Sequence, residues 1–212
     1  MNNLVKTKDK FLIFYPLFLV LAMIVLFPLL TGALGKTLGY VISYSGYLLL
    51  LLLGVIVVRP SLFSKETACL HPVAYYLLAF IPAVATFFAA FLSVVAWLDI
   101  VSISIILVYS ICNGTLEELF WRGCYNKQFR KRPMLACIYP TVLFSCWHFA
   151  LVLAKGMQYT GGISALVGGA AIMGIIWCIV AYKTQNIFLV ILAHVFTNFF
   201  AFSQLVYQNW FT

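Results

Sequence analysis

LGYVISYSGYLLLLLLGVIVV, Leu38–Val58, contains no Asp, Glu, Lys, Arg or His and stops at Arg59-Pro60. About 20 helical residues at 1.5 Å rise cross the hydrocarbon of a bilayer, so this stretch reads as a membrane span. Six more runs of that kind follow from the same reading: Phe11–Leu30, Val73–Leu98, Ile100–Phe120, Met134–Ala154, Ile163–Tyr182 and Ile187–Tyr207. Their separators are polar or turn-forming: Asp99, the basic stretch Lys127 to Pro133, Gly161-Gly162, and Lys183 to Asn186. Pro82 could split the third run, although membrane helices tolerate proline. The fold expected is an all-α, polytopic membrane helix bundle of about seven transmembrane helices (six to eight).

Composition agrees. Of 212 residues, 65% are hydrophobic and 8% charged, and mean hydropathy is +1.07. A soluble domain averages roughly 45–50% apolar and about 25% charged, so this chain has too little charge for a water-facing surface. Disorder, a collagen-like rod and a disulfide-rich secreted scaffold are excluded by the same figures.

The net charge of +8 is explained by where the cations lie. With the N-terminus cytoplasmic, the inner side collects Lys6, Lys8, Lys10, Arg59, Lys65, Arg122, Lys127, Arg130, Lys131, Arg132 and Lys183. The outer side collects Lys36 and Lys155. This asymmetry is the positive-inside pattern of a membrane protein and not a nucleic-acid footprint. No nucleic-acid partner is expected. The cluster Lys127 to Arg132 reads as topology and contact with anionic lipid, and it could also attract an acidic peptide terminus. Lys6, Lys8 and Lys10 before an apolar run resemble a signal peptide, but the run exceeds the 7–15 residues usual for one, so an uncleaved anchor is expected.

The six cysteines (Cys69, Cys112, Cys124, Cys137, Cys146 and Cys178) form no CxxC pair and read as packing residues. Gly168, Gly169 and Gly174, with Ala165, Ala170 and Ala171, give the sixth span a small-residue surface suited to helix packing.

In so apolar a chain, ionisable residues inside spans mark function. Asp9 and Glu66 lie in inner loops, Asp99 in an outer one, and His71 in a loop. Three strings remain. The fourth span closes with Glu117-Glu118 and Arg122, an EExxxR pattern. The fifth holds Phe144 and His148, FxxxH, and the seventh His194 and Asn198, HxxxN. Residues four apart share a helix face, so His194 can sit beside Asn198 and Glu118 beside Arg122, whereas Glu117 and Glu118 point about 100° apart. All lie in the inner half or near the middle of the bilayer. A carboxylate in a poorly solvated cavity can act as a base toward water, and fixed His and Asn donors suit a developing oxyanion. No serine or cysteine has a comparable setting, since Ser145 and Cys146 precede His148 too closely to be oriented against it.

Three such strings in this order on successive helices resemble the CPBP family, which comprises type II CAAX prenyl endopeptidases, bacteriocin-processing and self-immunity proteins, and Abi membrane proteins. The resemblance covers roughly Ile100 to Tyr207. It divides one integral membrane domain into N-terminal peripheral helices, 1–99, and catalytic core helices, 100–212. It implies hydrolysis of a peptide bond near the membrane, with Glu117 and His148 holding and deprotonating water. His194 and Asn198 would stabilise the oxyanion, and Glu118, Arg122 and Phe144 would support the geometry. The family has been described both as metallopeptidase and as metal-independent. No cofactor is therefore the expectation, with zinc on Glu117, His148 and His194 as the alternative.

The substrate expected is a peptide or membrane-protein segment. The small size favours processing of leader, signalling or bacteriocin peptides, or self-immunity, beside CAAX-type processing. Two rival functions stand against this: a non-catalytic membrane interaction or immunity protein with an accessory partner, and a small transporter with Glu117 and His148 as proton relay, which the lack of a detectable repeat weakens.

Overall fold

The computed structural model describes residues 2–60 and 72–211, with side chains from Lys6 onward. Lys65, Glu66, Cys69 and His71, which sequence reading assigned to a loop or to packing, lie outside the described residues. Among the described residues the structure is all helical, with seven helices long and apolar enough to cross a membrane. They are α1 Asn2–Leu34, α2 Lys36–Val58, α3 Val73–Phe91, α4 Ile100–Phe129, α5 Met134–Val152, α6 Ser164–Thr184 and α7 Phe188–Phe211. Phe14, Leu21, Leu77, Ile100 and Ile172 are among many large apolar side chains left on the outside. Such a surface is stable against lipid, where every backbone polar group is satisfied within its own helix. The chain is a multi-pass integral membrane protein.

Three boundaries differ from the hydropathy reading by more than four residues. Helix α1 begins well before Phe11. The third span ends at Phe91 and not Leu98: the chain turns at Ser93, whose hydroxyl donates to Ala90 O at 2.9 Å, and a short 3₁₀ turn covers Val95–Trp97. Pro82 does not split it; Thr86 Oγ1 bonds back to Pro82 O at 2.9 Å within a continuous helix. The fourth span runs to Phe129 instead of stopping at Phe120. A lone arginine in the string looks like a helix end, but Arg122 is buried and paired with Glu118 inside the bundle, so the helix continues. The glutamates are consequently mid-helix. A π-helical segment, Leu119–Cys124, follows them directly; such segments recur at functional sites because they re-aim the residues after them.

Asp99 caps α4 by accepting from the Ser102 N–H at 2.7 Å, which holds its carboxyl below the usual range. Helices α4 and α7 pack closely at the centre. Gly114 permits this, because a Cβ there would stand 3.0 Å from the Val195 backbone N. Helix α1 packs on α2 and α5, α3 on α7 and α6, and α5 on α6. The α5–α6 contact sets two of the cysteines, Cys137 and Cys178, side by side, with Cα atoms 5.6 Å apart. Their separation of 41 residues gave no sequence signal, since only helix adjacency brings them together.

Candidate active site

Helix α4 brings Glu117 and Glu118 into the bundle on different faces. Glu118 turns toward α6 and α7. Its Oε1 accepts from the Arg122 guanidinium at 2.8 Å, one helical turn on, and meets His194 Nδ1 at 2.7 Å. Arg122 lies with its guanidinium carbon 4.5 Å from the Phe144 ring centre and reaches the Gly174 carbonyl at 3.4 Å. Phe144 is thus the aromatic floor under the cation. Gly174 is glycine for a steric reason: a Cβ there would stand 3.0 Å from Thr141 Cγ2 and 3.5 Å from Arg122. Elsewhere the small residues of α6 do other work, since Gly168 and Gly169 have no neighbour within 4 Å of an added Cβ, and Gly169 borders a cavity.

Glu117 faces that cavity, which holds about 410 Å³ and is also lined by Asn113, Phe144, His148, His194 and Asn198. Its side chain is almost wholly buried, and each carboxylate oxygen has fixed partners. Oε1 accepts from the Tyr47 hydroxyl at 2.6 Å. Oε2 accepts from Asn113 Nδ2 at 3.1 Å and lies 3.3 Å from His194 Nε2. Two hydrogen-bond donors and the His194 imidazole, from three helices, therefore surround one carboxylate.

His148 sits across the cavity on α5. Its Nδ1 lies 2.8 Å from the Phe144 carbonyl, which can only accept, so Nδ1 carries the proton and Nε2 keeps its lone pair in the neutral ring. Trp147, the preceding residue, stacks on Tyr47 at 3.8 Å between ring centres. His194 differs from His148 in having both ring nitrogens against carboxylates. Trp177 lies against its ring at 4.2 Å. Asn198, one turn along α7, is buried with its Nδ2 unpartnered and lines the same cavity. An unpaired amide donor in so apolar a setting costs stability unless a ligand group completes it.

The structure therefore brings Glu117, Phe144, His148, His194 and Asn198 to one cavity, with Glu118 and Arg122 packed behind them. Sequence reading missed Tyr47, Asn113, Trp147 and Trp177. Asn113 lies four residues before Glu117, on its face, and Tyr40, Tyr44 and Tyr47 form a helical stripe on α2. Those spacings were available as signals. Among the described residues no group of three or more His, Cys, Asp and Glu side chains is arranged to hold a metal ion.

Fold and site together define a polytopic helical membrane protein with a carboxylate–imidazole–amide centre inside the bilayer. Residues 98–200 match the family model described as Type II CAAX prenyl endopeptidase Rce1-like, so this motif-bearing region is similar to that family. That likeness supports a CAAX-type intramembrane endopeptidase at the family level. No curated protein and no solved structure matches the chain.

Proposed function

We propose that this chain hydrolyses peptide bonds by a glutamate-activated water, without a metal ion. One observation carries the reading: Glu117 is held by Tyr47, Asn113 and His194 at a cavity wall that also presents the free Asn198 amide. A water in that cavity gives one proton to Glu117 while its other hydrogen is accepted by His148 Nε2. Its oxygen attacks the substrate carbonyl carbon, and the carbonyl electrons move onto oxygen. Asn198 Nδ2 donates to that oxyanion, and the positive edge of His194 beside Glu117 adds to its stabilisation. Glu117 then returns its proton to the amide nitrogen, the C–N bond breaks, and a carboxyl and an amine leave. Glu118 and Arg122 act indirectly, by fixing the His194 ring through Nδ1.

A zinc ion on Glu117, His148 and His194 fits these residues poorly. Both His194 nitrogens are engaged by carboxylates, and the only unengaged nitrogen of the set is His148 Nε2. No step is assigned to a metal. The biological role favoured is processing of a leader, signalling or bacteriocin-like peptide, or immunity against one, because nothing in the cavity wall beyond the site carries a charge for reading a specific polar sequence.

The test is purified protein in proteoliposomes with a random peptide library, read by mass spectrometry. The wild-type chain should produce new peptide termini. Glu117→Gln, at equal incorporation and with an unchanged unfolding temperature, should produce none. Equal cleavage by both would end the proposal.

A further inference from the structure

The walls of the catalytic cavity are not shared evenly between the two sides of the membrane. On α2 they are formed by Tyr40 and Tyr44, within two to three turns of Lys36, the end that lies away from Arg59. On α3 they run from Ile81 to Ala90, and on α7 from His194 to Gln208, in both cases toward the end opposite Pro72 and Asn186. The rim includes Tyr159 and Thr160 of the α5–α6 connection, where Thr160 Oγ1 donates to Gln208 Oε1 at 2.8 Å. At 1.5 Å per residue, Glu117 lies about 25 Å along α4 from Ile100, so the cavity descends from this rim to the site.

The opposite direction is filled. Beyond the glutamates toward Arg130 and Gln185, the bundle interior is occupied by the buried Trp121, Trp177, Ile187 and Val190 and by the Arg122–Glu118 pair. Among the described residues, no cavity-lining residue belongs to the connections at Arg59, Arg130–Pro133 or Gln185–Ile187.

Charge says which side each end is on. Among the described residues, Lys6, Lys8, Lys10, Arg59, Lys127, Arg130, Lys131, Arg132 and Lys183 sit at the closed end, whereas the rim side carries only Lys36 and Lys155 among lysines and arginines. Cation-rich connections stay cytoplasmic. The rim is therefore extracytoplasmic. Its lining is uncharged: aside from Glu117 and the two histidines, the cavity presents aromatic, aliphatic, amide and hydroxyl groups, and burial pushes the Tyr159 hydroxyl above its usual range, keeping it neutral.

We infer that the catalytic cavity admits substrate from the extracytoplasmic face, and that the substrate is an uncharged, apolar segment of an exported or surface-anchored peptide. A cytosolic tail would meet the plug of tryptophans and the buried ion pair, not the cavity. The inference deepens the proposed function and rests on it for the chemistry, but its geometry is testable without turnover.

The test uses cells expressing the full chain, prepared both as spheroplasts and as inverted membrane vesicles. Ala201→Cys in the cavity, Thr160→Cys at the rim and Gln185→Cys at the far connection are labelled with a membrane-impermeant sulfonated maleimide, scored as the increment over the parent chain. Both preparations also receive an impermeant fluorogenic peptide library. Ala201→Cys and Thr160→Cys should label at least tenfold more in spheroplasts, and Gln185→Cys in inverted vesicles, with cleavage following the spheroplast side. Labelling of Ala201→Cys and cleavage from the inverted face would overturn the inference while leaving the hydrolase reading intact. Spheroplast-side labelling with no cleavage in either preparation or after detergent would overturn the substrate assignment through failure of the hydrolytic reading itself.

Discussion

The Tyr47 hydroxyl donates to Glu117 Oε1 at 2.6 Å across 70 residues of sequence, and the same hydroxyl accepts from Trp121 Nε1 at 3.2 Å. Helix α2, placed at the periphery by its sequence, thereby reaches into the centre. A hydrogen bond to a charged group is worth about 1.5–3 kcal/mol, and 1.4 kcal/mol is a tenfold change in rate.

Tyr47→Phe keeps the ring stack on Trp147 and removes the donor. It should lower kcat by roughly 10- to 100-fold, in line with that hydrogen-bond strength, with a small change in KM. The proteoliposome peptide assay checks this. An unchanged kcat would show that Glu117 does not depend on this contact.

Asn198→Ala removes the free amide donor from the cavity. Loss of one oxyanion donor costs about 10²–10³-fold in kcat, and that is the expected effect here, with folding preserved. Because the Nδ2 has no partner in the protein, its deletion should leave the unfolding temperature level or slightly higher. A parallel fall in kcat and in stability would assign Asn198 to structure instead.

Glu118→Ala leaves Arg122 and His194 Nδ1 without their acceptor in the bundle interior. Removing one partner of a buried pair costs about 3–5 kcal/mol, read as a fall in unfolding midpoint in detergent. Adding Arg122→Met to that variant should recover part of the loss, since the uncompensated charge is then gone. No recovery would mean the cation is stabilised mainly by Phe144 and Gly174.

Gly174→Ala should destabilise by about 1–3 kcal/mol, because its new Cβ crowds Thr141, Phe144 and Arg122. Gly168→Ala, with nothing within 4 Å, should be neutral or mildly stabilising. Thermal unfolding of the two variants side by side gives the comparison.

Chelators should leave peptide cleavage unchanged if Glu117 works alone with its protein donors. Activity lost on chelation and restored by zinc would require His194 to release one of its two carboxylates and would replace the proposed step.

The amino-acid order alone determined that the chain is a helical membrane bundle, how its loops are charged, and that Glu117, His148, His194 and Asn198 merit attention. Spans follow from local hydropathy, and a buried ionisable residue is conspicuous because lipid penalises it wherever the helix packs. Local rules failed where partners are distant. Arg122 read as a helix end because, beyond its local partner Glu118, its compensation by Phe144 and Gly174 depends on three-dimensional packing. The Cys137–Cys178 juxtaposition, the Tyr47 donor, the free Asn198 amide and the one-sided cavity were likewise decided only by tertiary structure. Each is a matter of which helices are neighbours and how deep each is inserted, and an apolar helix surface looks much the same in sequence whether it meets lipid or another helix.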